Sequence, residues 1–182
     1  MNQQRNRVRI IGGDWRRRQL TFPESAGLRP TPDRVRETVF NWLGQDLDGK
    51  CCLDLFAGSG AMGFEAASRR AARVVLVEKS RAVAAALQAN QQQLRMPNLE
   101  VLCQDALYYL KGCRQRFDVV FLDPPYDSDL LAQVLPQLPA LLAPQAVVYL
   151  EARAWPALEG WSELRRDQAG MVRYGLIEVQ PV

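Results

Sequence analysis

Three features of this 182-residue chain predict an α/β fold with a mostly parallel, doubly wound sheet and helices on both faces. From Cys51 onward, short apolar runs alternate with stretches of helical period, the pattern of βαβ units. Gly58-x-Gly60-x-x-Gly63 stands between the first run and a helix, where small residues let backbone N–H groups approach a ligand closely. Four runs end at an acid, namely Asp54, Glu78, Asp105 and Asp123. In a doubly wound sheet such strand ends open onto one crevice.

Ahead of the sheet, Val8, Ile10, Gly12 and Gly13 mark a small β-hairpin, and Leu28-Arg29-Pro30-Thr31 leads into a helix. Thr31 is placed as its N-cap with Pro32 at the first helical position. Val35, Val39, Trp42 and Leu43 then fall on one face, and residues 44–50 link to the sheet. Strands over 51–56, 73–77, 99–103, 117–122 and 146–150 alternate with helices over 61–70, 81–94, 105–111 and 128–142. Pro136 and Pro139 bend or break the last helix. Two tail strands, 161–166 and 171–179, form an antiparallel hairpin around Asp167-Gln168-Ala169-Gly170 and close one edge, which makes seven strands. Trp155 and Trp161 are assigned to packing. The chain thus reads as a basic extension over 1–45 packed on a core over 46–182.

Hydrophobic content of 48% and charged content of 24% are ordinary for a soluble protein. No apolar stretch approaches the ~20 residues of a membrane span, and no apolar segment follows the first arginines as in a secretory signal. A cytoplasmic protein is expected. Cys51, Cys52, Cys103 and Cys113 lack CxxC spacing and read as buried, reduced thiols. Histidine is absent, which removes the usual general base and the commonest metal ligand, so no metal is expected. The chemistry must proceed without strong acid–base help. Methyl transfer from a sulfonium qualifies, because its leaving group is already activated.

Asp123-Pro124-Pro125-Tyr126 closes the run 117–122 as a stiff hook, since each proline fixes its own φ and extends the residue before it. The hook offers two acceptors and a π-face, which suits a flat planar amine. Alone, Asp-Pro-Pro can serve simply as a rigid turn; the upstream glycine loop favours a site. Glu78, 18 residues after Gly60, is placed to accept both hydroxyls of a ribose. Asp54, four residues before Gly58, suits a cationic cofactor better than a pyrophosphate. Asp105 adds an acceptor for an adenine amine.

Net charge is +3, but residues 1–36 carry nine arginines, no lysine and three acids, whereas the remainder carries 14 Lys and Arg against 17 acids. Guanidinium forks bind phosphates bidentately, so this arm is read as nucleic-acid-binding, with Trp15 and Phe22 interleaved to stack on unpaired bases. Its candidate contacts are Arg7, Arg9, Arg16, Arg17, Arg18, Arg29 and Arg34, with Arg36 turned toward the cleft or a polyanion.

Asp54-Leu55-Phe56-Ala57-Gly58-Ser59-Gly60 together with Asp123-Pro124-Pro125-Tyr126 resembles the class I, Rossmann-like S-adenosylmethionine-dependent methyltransferases that act on amino groups. Val8-Arg9-Ile10-Ile11-Gly12-Gly13, Leu28-Arg29-Pro30-Thr31, Asp33-Arg34-Val35-Arg36-Glu37, Phe40-Asn41-Trp42-Leu43 and Arg173-Tyr174-Gly175 extend the likeness to the bacterial 16S ribosomal RNA guanine-N2 methyltransferases over nearly the whole chain. The resemblance implies methylation of a guanine N2 in 16S ribosomal RNA, within the small subunit or an assembly intermediate, by a monomer. It implies cofactor contacts at Asp54, Phe56, Ala57, Gly58, Ser59, Gly60, Glu78, Lys79, Asp105, Ala106 and Asp123, and catalytic roles for Asp123, Pro124 and Tyr126. An adenine-N6 methyltransferase, a nicotinamide-dependent oxidoreductase and a non-catalytic RNA-binding assembly factor are the alternatives.

Overall fold

The computed structural model describes residues 6–24 and 28–181; residues 1–5 and 25–27 of the expected basic extension lie outside them. Seven strands form one sheet: β3 (Cys51–Asp54), β4 (Arg73–Glu78), β5 (Leu99–Cys103), β6 (Phe117–Leu122), β7 (Leu142–Ala152), β8 (Trp161–Ala169) and β9 (Val172–Val179). Their order is β5-β4-β3-β6-β7-β9-β8, with β9 antiparallel to both β7 and β8 and the other pairs parallel. The parallel strands are buried on both faces, which is why they read as unbroken apolar runs.

Alternate residues of each strand feed two cores. Cys52, Val74, Leu76, Val119, Phe121 and Tyr149 pack on one face; Leu53, Val75, Val120, Leu122, Val148 and Leu150 pack on the other. The first face is covered by α2 (Ala61–Ser68) and α3 (Arg81–Leu94), the second by α4 (Ala106–Gly112) and α5 (Leu130–Val134). Burial of Val83, Ala84, Leu87 and Leu94 gives α3 its inward stripe, and Ser80 caps it by accepting from the Val83 N–H.

The N-terminal extension adds to the first face alone. It comprises a two-stranded hairpin, β1 (Asn6–Arg9) with β2 (Gln19–Phe22), and α1 (Asp33–Trp42). Glu65 of α2, fully buried, fastens it: its carboxylate accepts from the Ile11 and Gly12 N–H groups at 2.9 and 2.8 Å and pairs with Arg69 at 2.9 Å and Arg36 at 3.4 Å. Arg36, 1% exposed, also donates to the Arg9 and Thr31 carbonyls and pairs with Asp33. It is therefore a structural cation and faces no polyanion. Burial lowers its pKa while Glu65 and Asp33 raise it.

Other expectations need correction. Pro32, not Thr31, is the N-cap of α1, and no side chain caps that helix; the Thr31 hydroxyl is drawn to Glu151 instead. Phe22 is buried in the first core, and Trp15 packs against it with its indole N–H on the Leu94 carbonyl at 2.7 Å, so neither ring is free to stack on bases. Predicted helix 128–142 shrinks to α5 and a 3₁₀ turn, Leu138–Leu141, because Pro136 and Pro139 deny it backbone donors. The tail hairpin turns at Gly170 and Met171, two residues later than the centre of the expected turn. Only Cys52 of the four free thiols is buried; Cys51 and Cys113 are half-buried and Cys103 is exposed.

Replacing Glu65 by Ala strands buried Arg36 and opens the hairpin attachment. Urea denaturation is expected to show a loss of about 3–5 kcal/mol, whereas Glu163→Ala, at a surface ion pair, changes stability by less than about 1 kcal/mol.

Candidate active site

Strand register sets the site. Asp54 at the end of β3 lies abreast of Leu76 in β4 and Phe121 in β6, so Glu78 and Asp123 each stand two residues further along neighbouring strands. Glu78 is abreast of Cys103 in β5, two residues before Asp105, and Leu122 is abreast of Leu150, which sets Asp123 beside Glu151. Since side chains alternate along a strand, Asp54, Glu78, Asp123 and Glu151 rise from the same face. Five neighbouring strand ends thus present carboxylates, in the spatial order Asp105, Glu78, Asp54, Asp123, Glu151.

The glycine loop closes over the centre of this row. Gly60, at φ +81°, starts α2, and a Cβ there would meet Leu87 and Phe64 at 2.7 and 2.8 Å. A Cβ on Gly63 would meet Leu76 at 2.7 Å and an Asp54 oxygen at 3.2 Å, so this glycine brings α2 close enough for its N–H to donate to Asp54 at 3.0 Å. Glu78 accepts the Gly58 N–H on one oxygen and the Ser80 N–H on the other, both at 2.9 Å. Each of its oxygens retains a lone pair for a sugar hydroxyl. Ser59 accepts the Ala61 N–H at 3.3 Å and Asp105 caps α4 by accepting from Tyr108 at 3.0 Å. Of the other nominated residues near these strand ends, Ala57 and Ala106 are buried, Phe56 is half-buried and Lys79 is exposed.

Asp54 is 3% exposed. Burial pushes its carboxyl up to about 7; the Gly63 N–H pulls it down and Glu78 pushes it further up. Asp123 is raised well above the usual carboxylate range, by burial first, then Glu151, then Asp54. No hydrogen bond from a described residue reaches the Asp123 carboxylate or the Pro124 carbonyl. The hook therefore holds two open acceptors among crowded, uncompensated acids, a donor set that calls for a cation and an N–H-bearing ligand.

Glu151 escaped the sequence reading, although an acid directly after the apolar run 146–150 is the same signal that found the other four. Buried to 4% exposure, it accepts hydroxyl bonds from Tyr126 and Tyr149, each at 2.9 Å, and from Thr31 at 3.2 Å. Burial and then Glu151 raise both phenols, so both remain donors. Tyr126, 37% exposed, is thereby tied by its hydroxyl while the Arg153 guanidinium sits 4.9 Å from its ring centroid. The guanidinium lies within cation–π range of the ring, which stays partly exposed. All seven arginines nominated for nucleic acid are exposed.

The chain is similar to known proteins over nearly its whole length. The family described as conserved hypothetical protein 95 matches residues 8–178. The ribosomal RNA small subunit methyltransferase D of Escherichia coli K12 is 43% identical over 94% of this chain and 89% of its own length. The chain belongs to the small-subunit ribosomal RNA methyltransferase D family. The Haemophilus influenzae member is likewise 43% identical, over 94% of this chain and 93% of its own. A solved structure described as putative methyltransferase yhhF from Escherichia coli superposes with a TM-score of 0.87 at 40% identity, covering 96% of this chain and 99% of that one. This member of the family thus carries the row of acids, glycine loop and hook in one chain.

The raised Asp54 fixes a pH dependence. Its neutral form contributes stability that is fully present below its ordinary value of 3.8 and is lost as pH rises through about 7. Asp54→Asn is therefore expected to be more stable than the ligand-free parent at pH 8, by a few kcal/mol in order of magnitude, and so to melt higher, with the gap vanishing at pH 4. Thermal melts at both values check it.

Proposed function

We propose that this protein transfers a methyl group from S-adenosylmethionine to the exocyclic N2 of one guanine in 16S ribosomal RNA, presented in the small subunit or an assembly intermediate. The observation that carries the reading is that buried Asp54 and the open-acceptor hook at Asp123 stand at the ends of adjacent parallel strands, on the same face of the sheet. A cationic cofactor pocket and an amine-binding hook then share one crevice. All five acids come from a single chain, so a monomer suffices.

When bound, the cofactor supplies an electrophilic methyl group on a sulfonium. Asp54 and the N–H groups of the glycine loop hold its amino-acid end, Glu78 its ribose and Asp105 its adenine amine, with Phe56, Ala57, Gly58, Ser59, Gly60, Lys79 and Ala106 forming the walls. A guanine amine is a weak nucleophile because its lone pair is delocalised into the ring. The Asp123 carboxylate and Pro124 carbonyl accept its two N–H bonds, favour pyramidal nitrogen and stabilise the positive charge that develops there. Tyr126 stacks on the base and fixes its approach, with Glu151 holding the ring plane. The target base leaves its stack to enter, at a cost of a few kcal/mol that is smallest in a loop.

Labelled cofactor and undermodified small subunits test the reaction, with mass analysis of the digested RNA. N2-methylguanosine is expected; N6-methyladenosine, the product of the alternative amine, overturns the assignment. Asp123→Ala is expected to lower turnover by at least 10³-fold, or about 4 kcal/mol of transition-state stabilisation, while binding the demethylated cofactor within a few-fold of the parent. Near-normal methylation by that variant removes Asp123 from the mechanism. Tyr126→Phe keeps the stacking surface but frees the ring from Glu151, and is expected to lower kcat roughly ten-fold with KM for the subunit little changed in single-substrate kinetics.

A further inference from the structure

The exposed arginines of the N-terminal extension run from the crevice toward the far end of the sheet, on the face that the extension covers. Arg29 and Arg34 flank Thr31, whose hydroxyl reaches Glu151 beside the hook. Arg9 lies further along, paired with Asp33 at 2.7 Å. The turn bearing Arg16, Arg17 and Arg18 is fastened at the opposite end of the sheet. There the Asp14 N–H donates to the Ser68 carbonyl at the end of α2, at 2.8 Å, and the Trp15 indole to the Leu94 carbonyl at the end of α3, at 2.7 Å. Both helices begin at the crevice, at Gly60 and Ser80. At 1.5 Å per residue the length of α3 sets this turn roughly 20 Å from the cofactor loop.

At that end Arg9, Arg16, Arg17, Arg69 and Arg70 line a groove of about 760 Å³, with Glu37 and Asp46 on its wall. Arg69 and Arg70 answer Glu65 and Asp46, but Arg16, Arg17 and Arg18 enter no ion pair among the described residues. The turn is ordered, not a loose charged arm. Arg17 holds a left-handed backbone at φ 71° and its N–H donates to the Ile10 carbonyl at 2.9 Å, a conformation costly for a side-chain-bearing residue. Arg70, across the groove, has the same φ of 71°. Unpaired guanidinium groups fixed on a rigid turn suit a fixed row of phosphates.

We propose that this groove is a second RNA-contact surface, which takes backbone phosphates of the strand leading away from the target base. The inference rests on RNA being the substrate, and it deepens that reading: the enzyme grips its substrate at two points. Roughly 20 Å corresponds to about six stacked nucleotides at ~3.4 Å each. The enzyme therefore measures the structure flanking the guanine as well as the guanine itself.

The test uses the full chain loaded with the demethylated cofactor and a ribosomal RNA hairpin containing the target region, so that binding is read without turnover. Arg16→Gln/Arg17→Gln is expected to reduce the slope of log K against log salt by about two units and to raise KM for undermodified subunits ten-fold or more with kcat unchanged. Arg16→Glu/Arg17→Glu deepens both effects, and an unchanged melting temperature shows that the fold is retained. An unchanged slope and KM in both variants overturns the proposal. So does a KM increase on subunits with RNA affinity intact, which assigns the groove to a protein partner. Because the slope is measured without chemistry, a wrong assignment of the methylated atom leaves this result standing and is told apart from failure of the groove.

Discussion

Parallel register is the constraint on which the molecule depends. Once β3 is locked between β4 and β6 with Asp54 abreast of Leu76 and Phe121, the pleat carries Glu78 and Asp123 into the same space. The next strand adds Glu151. Hydrophobic packing on both sheet faces enforces that alignment, because a slip of one residue exchanges the two cores and turns every acid to the other face. Burial energy thus holds together like charges that would separate in water. The discomfort of those charges is visible in the raised Asp54 and Asp123, and a cationic ligand relieves it. Such strain is often found where binding is the task.

The N-terminal extension belongs to the same construction. Glu65 and Arg36 bind it to α2 through buried ion pairs and backbone amides, and Thr31 joins it to the Glu151 knot that holds Tyr126. The exposed arginines of the extension and the aromatic ring of the hook are therefore tied to the same packed body. The extension thus buttresses the support of Tyr126 as well as presenting a basic surface.

Most of this was legible in the sequence where function follows from local chemistry. Apolar runs ending in acids gave the parallel strands and set their acids at one end of the sheet, and the glycine spacing gave the tight loop between β3 and α2, because both are backbone requirements written in consecutive residues. What stayed hidden was the use to which amphipathic side chains are put. Arg36 looks like Arg34 in the sequence, yet one is buried against Glu65 and the other exposed. Trp15 and Phe22 look like stacking platforms until the hairpin folds down on α3. Thr31 matches a capping residue, but a buried carboxylate 120 positions away outcompetes the helix for its hydroxyl. The far position of the Arg16–Arg18 turn follows from tertiary contacts alone.

The central claim is that the row of acids is built for a positively charged cofactor beside an amine-binding hook. Calorimetric titration of the protein with S-adenosylmethionine and with its uncharged-sulfur product, from pH 5.5 to 8.5, measures this directly. The account predicts that the affinity ratio shifts toward the sulfonium form as pH rises through about 7, where Asp54 ionises. A ratio that stays flat across that range would contradict it.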